Sequence, residues 1–276
     1  MRGLSLVFIL GIICSGCAGW YFHPSKEEAP VYRDGHLIDH HEITVASDSR
    51  ILHSVYVHAS NPKKLFVYFH GNAGNITTHL PALYWLLNHN FDIYTFDYSG
   101  FGRSTGYANF ENAIIDSKAA LKKALQFAGE KKISEVVVMG SSMGGHLLLH
   151  ALRDYRASAK ISHVVLDSTF CSLKTEVQHV LSQSLLFMAV FPVILPIVAF
   201  QPNLAESCDV LNELTIPTII LHDWQDTVVG STNAREIMQN TKNIKAVLGL
   251  NVGLHANMLS IYEVREWLMA QLQTKL

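Results

Sequence analysis

A serine with glycines two residues to either side, Gly140-Ser141-Ser142-Met143-Gly144, stands between the apolar run Val136-Val137-Val138-Met139 and the helix-like His146-Leu147-Leu148-Leu149. The chemistry open to such a serine is nucleophilic attack. A sharp strand-to-helix turn would lift the Ser142 hydroxyl above a sheet, and residues without a side chain, Gly140 and Gly144, are what fit beside so tight a bend. A serine hydroxyl is a weak nucleophile, so it needs a base to take its proton and a carboxylate to hold that base in one tautomer. Asp226 follows the apolar run 218–221, and His255 follows the run 246–250. Ser142, Asp226, His255 is one of the chain orders in which this trio occurs. Asp167 and Asp223 are alternative carboxylates, Asp167 because it ends the strand before a long insertion. The plainer readings are a tight turn for Ser142 and helix-cap or loop positions for Asp226 and His255.

Attack on a carbonyl also needs N–H donors aimed at the developing oxyanion. One donor is expected from Met143, next to the nucleophile. The other is expected from Asn72 in His70-Gly71-Asn72-Ala73-Gly74-Asn75, with His70 and Gly71 as supporting residues. That glycine-bearing loop lacks the spacing of the common phosphate-binding motifs, so a nucleotide is not expected.

The elements that must position these residues follow from hydrophobic period. Residues 42–47 and 51–58 alternate around Asp48-Ser49, as in an antiparallel hairpin. Residues 65–69, 91–96, 136–139, 164–166, 218–221 and 246–250 are short apolar runs of the kind that fill parallel strands buried on both faces. Between them, 80–88, 111–127, 143–155, 234–239 and 258–272 carry helical spacing. The alternation predicts an α/β fold with a mostly parallel, doubly wound sheet, and it places the chemistry at the carboxyl ends of strands. About fifty residues after Asp167 break the pattern. Residues 170–212, with the very apolar stretch 185–200 and its Pro192 and Pro196, read as a helical cap inserted over the site. That stretch could wall an acyl pocket, dip into a bilayer surface, or pack on the core.

The formal net charge of −2 and the absence of basic runs give no footprint for nucleic acid. Fifteen histidines are scattered without metal-site spacing, so no metal is indicated. The N-terminus differs from the rest. Arg2, an apolar run over 4–13 and then Cys14-Ser15-Gly16-Cys17 read as an export signal at 1–16, cleaved so that Cys17 is lipid-modified, with a simple cleaved signal or an uncleaved anchor as the alternatives. On this reading 17–36 is a linker and 37–276 the folded domain, facing the periplasm or exterior of a bacterial envelope, in the outer membrane of a Gram-negative cell. Cys171 and Cys208 then either pair or remain thiols.

The blocks His70–Asn75, Asp97-Tyr98-Ser99-Gly100-Phe101-Gly102-Arg103-Ser104 and Gly140–Gly144, with the Asp226 and His255 loops, resemble those of membrane-associated α/β-hydrolase-domain serine hydrolases. These include eukaryotic protein depalmitoylases and bacterial lipoprotein relatives. The resemblance implies the α/β-hydrolase fold, with Ser142 as nucleophile, Asp226 as acid and His255 as base. It implies hydrolysis of carboxylic esters or thioesters through an acyl-enzyme, without a cofactor. Asp223 departs from the family, which often has glycine there, and Ala256 stands where a polar residue is common. Expected partners are a small acyl ester or acylated peptide, and a membrane reached through the lipid anchor. The other readings are an inactive binding or envelope lipoprotein and a serine peptidase acting on small peptides.

Overall fold

The computed structural model describes residues 22–27, 35–182 and 206–273. The signal stretch, Cys17 and residues 185–200 lie outside the described residues. Among the described residues an eight-stranded sheet runs in the order β10-β9-β8-β7-β4-β6-β3-β2. The strands are β2 (Ile38–Thr44), β3 (Ile51–Val57), β4 (Lys64–Phe69), β6 (Phe91–Phe96), β7 (Glu135–Ser141), β8 (Ile161–Asp167), β9 (Thr218–Asp223) and β10 (Ile244–Leu250). Only β3 runs against its neighbours; the other pairings are parallel. A separate two-stranded pairing joins β1 (His23–Pro24) to β5 (Ala73–Gly74).

The continuous apolar runs form strands because both faces of the sheet are covered, and the two-residue period then sorts the side chains. Val136 and Val138 enter one core, with Leu65, Val67 and Leu166, while Val137 and Met139 enter the other, with Phe66 and Val165. The first core is closed by α2 (Phe110–Glu130) and α3 (Met143–Leu152), and by α5 (Cys208–Glu213) and α6 (Ser231–Asn240). Ala113, Ala120, Ala124 and Ala128 give α2 a small-residue stripe on its buried side. The second core is closed by a 3₁₀ helix at Leu80–His89 and by α7 (Tyr262–Gln273). Two sequence-expected helices differ in detail. The first is wound as 3₁₀ from Leu80, with Pro81 in its first turn, which has no N–H to give to an α-helical ladder. The last is interrupted, with a 3₁₀ turn at Met258–Ser260 and Ile261 extended before α7 begins.

The chain passes from β4 to β6 on one side and then crosses to β7 on the other, so the strand order reverses at the β4–β7 pair. Open parallel sheets leave their crevice at such a point. The loop after β4 and the turn after β7 both open there. Within the 170–212 stretch, α4 (Leu173–Ser182) and α5 are helical. Cys171 and Cys208 are joined in a disulfide that ties the two ends of the insert. No helix among the described residues is long and apolar enough to cross a membrane.

Candidate active site

Ser142 sits between β7 and α3 with φ 53° and ψ −127°, a left-handed backbone that costs about 1–3 kcal/mol unless its surroundings enforce it. They do. Its N–H donates to the Asp167 carbonyl at 2.9 Å, and its own carbonyl accepts from Thr169 Oγ1 at 2.5 Å. A side chain at Gly144 would run into the backbone of Phe69 and His70, and one at Gly140 into Gly144 and Gly145. The elbow can therefore press against the end of β4 only because those positions are bare.

His255 lies on the loop after β10 and bridges the two other predicted residues. Its Nδ1 is 2.8 Å from Asp226 Oδ2 and its Nε2 is 3.0 Å from Ser142 Oγ. A carboxylate can only accept, so Nδ1 carries the hydrogen and Nε2 is left to accept from the serine hydroxyl. Asp226 is buried, and its other oxygen takes the N–H groups of Val228 and Val229 at 2.8 and 3.0 Å. Asp167 is placed differently. It is buried under the elbow, accepts from Ser141 and Ser168 hydroxyls, and is pushed up to about 6, chiefly by burial. The carboxylate hydrogen-bonded to His255 is that of Asp226.

Asp223, the other alternative, has no hydrogen bond to His255 in the structure and instead holds its loop. Its two oxygens accept the N–H groups of Gln225 (2.9 Å), Val252 (3.0 and 3.3 Å) and Leu254 (3.0 Å). Burial pushes this carboxyl up, but the amides of Leu254, Gln225 and Val252 outweigh it and hold it below the usual value. Sequence reasoning missed one further acid. Glu176 on α4 is buried, accepts from Asn233 Nδ2 at 2.9 Å, and is pushed up to about 8 by burial and then by the charge of Asp226. The available signal was its place beside Leu173 and Val177 on the inward side of an amphipathic helix.

The loop after β4 brings the remaining predicted residues alongside. A side chain at Gly71 would stand 3.6 Å from Ser142 Cβ, so this backbone runs directly past the nucleophile. His70 is fully buried, donates from Nδ1 to the Gly71 carbonyl at 2.8 Å, and is pushed down to about 4 by burial. His79 stacks on it and donates from Nε2 to the Ala73 carbonyl at 2.7 Å. Two neutral imidazoles thus fix two carbonyls of the loop. Asn72 lies in this loop and Met143 opens α3. The one group of candidate metal ligands among the described residues, Cys171, Cys208 and Glu236, has its sulfurs bonded to each other.

The family model described as Hydrolase_4, serine aminopeptidase S33, matches residues 60–208. YfhR of Salmonella typhi is 23% identical over 279 residues, covering 94% of this chain and 89% of that protein. Protein bem46 of Schizosaccharomyces pombe is 27% identical over 157 residues, covering 54% of this chain and 50% of that protein. An esterase of Pyrococcus furiosus superposes with a TM-score of 0.70 at 18% identity, covering 91% of this chain and 96% of that one. An acetyl xylan esterase from Paenibacillus sp. R4 does so with a TM-score of 0.68 at 15% identity, covering 92% and 89%. At such identities the structural likeness establishes the α/β-hydrolase fold and no more.

Proposed function

The chain belongs to the Hydrolase_4 family of α/β hydrolases, and from that membership and the geometry around Ser142 we propose that it is a serine hydrolase cleaving small acyl esters or thioesters. The observation that carries the reading is the bridging imidazole, 2.8 Å from Asp226 and 3.0 Å from Ser142. His255 takes the proton from Ser142 as Oγ attacks the acyl carbonyl. Asp226 steadies the resulting imidazolium, and the N–H groups of Asn72 and Met143 receive the oxyanion. His255 then returns the proton to the leaving group, and water, activated by the same imidazole, releases the acid from the acyl-enzyme. No cofactor is needed. The esterase names of two structural neighbours agree with an ester substrate.

The test is a panel of p-nitrophenyl esters of increasing chain length, with wild type and Ser142→Ala side by side. Wild type hydrolyses the shorter esters and labels with a fluorophosphonate, whereas Ser142→Ala does neither. Equal hydrolysis by both proteins overturns the assignment. Absence of label on folded wild type favours an inactive binding lipoprotein. The family description also names a serine aminopeptidase, which supports a second reading, a peptidase acting on small peptides. Aminoacyl p-nitroanilides cleaved faster than esters would select it.

The proposed setting is the bacterial envelope, with the chain anchored through a lipid on Cys17 and the crevice facing away from the cytoplasm. The disulfide agrees with an oxidising compartment. Cys17→Ser is expected to move the protein from the membrane to the soluble fraction.

A further inference from the structure

Residues 22–27 fall in the stretch read from sequence as a linker, yet they lie along the loop that carries Asn72. His23 and Pro24 pair in parallel with Ala73 and Gly74. The His23 N–H donates both to the Asn72 carbonyl and to Asn72 Oδ1, each at 3.2 Å. The Ser25 N–H donates to the Gly74 carbonyl at 3.1 Å, and the Ser25 carbonyl accepts from Gly102 N–H at 2.9 Å. Asn75 completes the clasp. It is fully buried and caps α1 (Ile76–His79) through Oδ1, while its Nδ2 donates to the Ser25 and Glu27 carbonyls at 3.2 and 2.6 Å. Two side chains pin the ends. Phe22 is buried edge-on against Phe101 and Phe110, with ring centroids 6.2 and 5.0 Å away, and Lys26 Nζ donates to the Ser104 carbonyl at 2.9 Å.

We propose that this N-terminal strap is a positioning element of the active site, setting the oxyanion-binding loop at the distance from Ser142 that catalysis requires. The inference rests on the serine-hydrolase reading above. The loop is clamped between two surfaces: on one side its backbone passes Ser142 at Gly71, and on the other both acceptors of Asn72 meet the strap. His70 and His79 hold the Gly71 and Ala73 carbonyls, which leaves the Asn72 and Gly74 carbonyls to the strap. A donor displaced by even 1 Å from a developing oxyanion can cost about 10²-fold in rate, while ground-state binding is little touched.

The decisive variants are made in the full-length chain. His23→Pro deletes the N–H while keeping extended backbone, and His23→Ala keeps the N–H while deleting the ring. Asn75→Asp keeps the helix cap but turns a carboxylate oxygen toward the Ser25 and Glu27 carbonyls. His23→Pro and Asn75→Asp are expected to lower kcat on a p-nitrophenyl ester about tenfold or more with KM within about twofold. Both are expected to weaken inhibition by an alkyl boronic acid, whose tetrahedral adduct uses the same donors, by a matching factor. His23→Ala stays near wild type. The proposal is overturned if both variants keep kcat within about twofold, if KM rises in place of a fall in kcat, if boronate affinity is unchanged, or if His23→Ala loses as much as His23→Pro. Should His23→Pro fail to fold, Asn75→Asp decides alone. Wild type that neither hydrolyses esters nor labels with fluorophosphonate defeats the hydrolase reading itself, a different result from an active wild type indifferent to these substitutions.

Discussion

Two loops flank Ser142, and they are held in opposite ways. The His255 loop is gripped from within the sheet, by one buried carboxylate at the end of the neighbouring strand: Asp223 collects amides from both the acid loop and the base loop. The loop after β4 is gripped from outside, by a strap some fifty residues upstream and by two neutral histidines. The first device is electrostatic and compact, since a single buried charge stands against several N–H dipoles. The second is distributed over many weak bonds. The contrast is that a concentrated brace fails completely when one atom is changed, whereas a distributed one fails by degrees.

The largest effect belongs to the His255 side. Asp226→Asn keeps the shape but presents an N–H or a weaker acceptor to His255 Nδ1, and kcat is expected to fall by about 10³- to 10⁴-fold. Asp167→Asn, whose side-chain hydrogen bonds among the described residues are to the Ser141 and Ser168 hydroxyls, is expected to leave most of the activity. Steady-state kinetics of the pair check this, and the reverse outcome would show that the buried strand-end acid does the work. Next comes Asp223→Asn. One oxygen becomes an NH₂ facing backbone donors, so kcat should drop about 10²-fold, with a stability loss of about 1–3 kcal/mol for each amide left unpaired. If Asp223→Asn instead resembles the milder loss expected of His23→Pro, the two loops are braced alike and the contrast falls.

What could be read in advance follows the same division. Strands such as Glu135–Ser141 were legible because burial on both faces leaves the run Val136–Met139 without a polar interruption, and all four of those residues are buried. The trio was legible because its members stand after strand ends in the order that α/β hydrolases use, and the structure brings the three side chains within hydrogen-bond distance. Its supports were not. Asp223 acts on backbone N–H groups, which carry no residue identity, so an acid there reads as a rival base partner. The strap has only two paired residues, one of them proline, and no period can show in so short a run. Glu176 is buried by α6 and the acid loop, neighbours that only the folded chain assembles.

The disulfide tests whether the insert belongs to either brace. Cys171 and Cys208, 37 positions apart in sequence, close a loop at the neck of the insert, and Ser207 N–H also donates to the Cys171 carbonyl at 2.8 Å. A double Cys→Ser variant is expected to lose about 2–4 kcal/mol of stability by thermal or denaturant unfolding. Its kcat on a short ester should stay within about threefold of wild type, because among the described residues neither cysteine hydrogen-bonds to the His255 loop or the strap.

The smallest effect is a change of slope. Glu176 sits on α4 where that helix meets the acid loop: its carboxyl receives Asn233, and His179 on the same helix reaches the Thr227 carbonyl at 3.1 Å. Its pKa in the folded protein, about 8, lies above the ordinary 4.5, so between those values the folded state binds more proton than the unfolded one. The sign follows: stability falls as pH rises through that window, because the unfolded chain can release the proton that burial and the charge of Asp226 make the folded Glu176 keep. Glu176→Gln keeps an acceptor for Asn233 and removes the titration, so its Tm should decline less between pH 5 and 8 than that of wild type. Activity at pH 6, where Glu176 is already neutral, should be nearly unchanged. A parallel Tm–pH curve in the variant would mean that Glu176 is ionised throughout, and that α4 is fastened to the acid loop by charge, as Asp223 fastens the His255 loop.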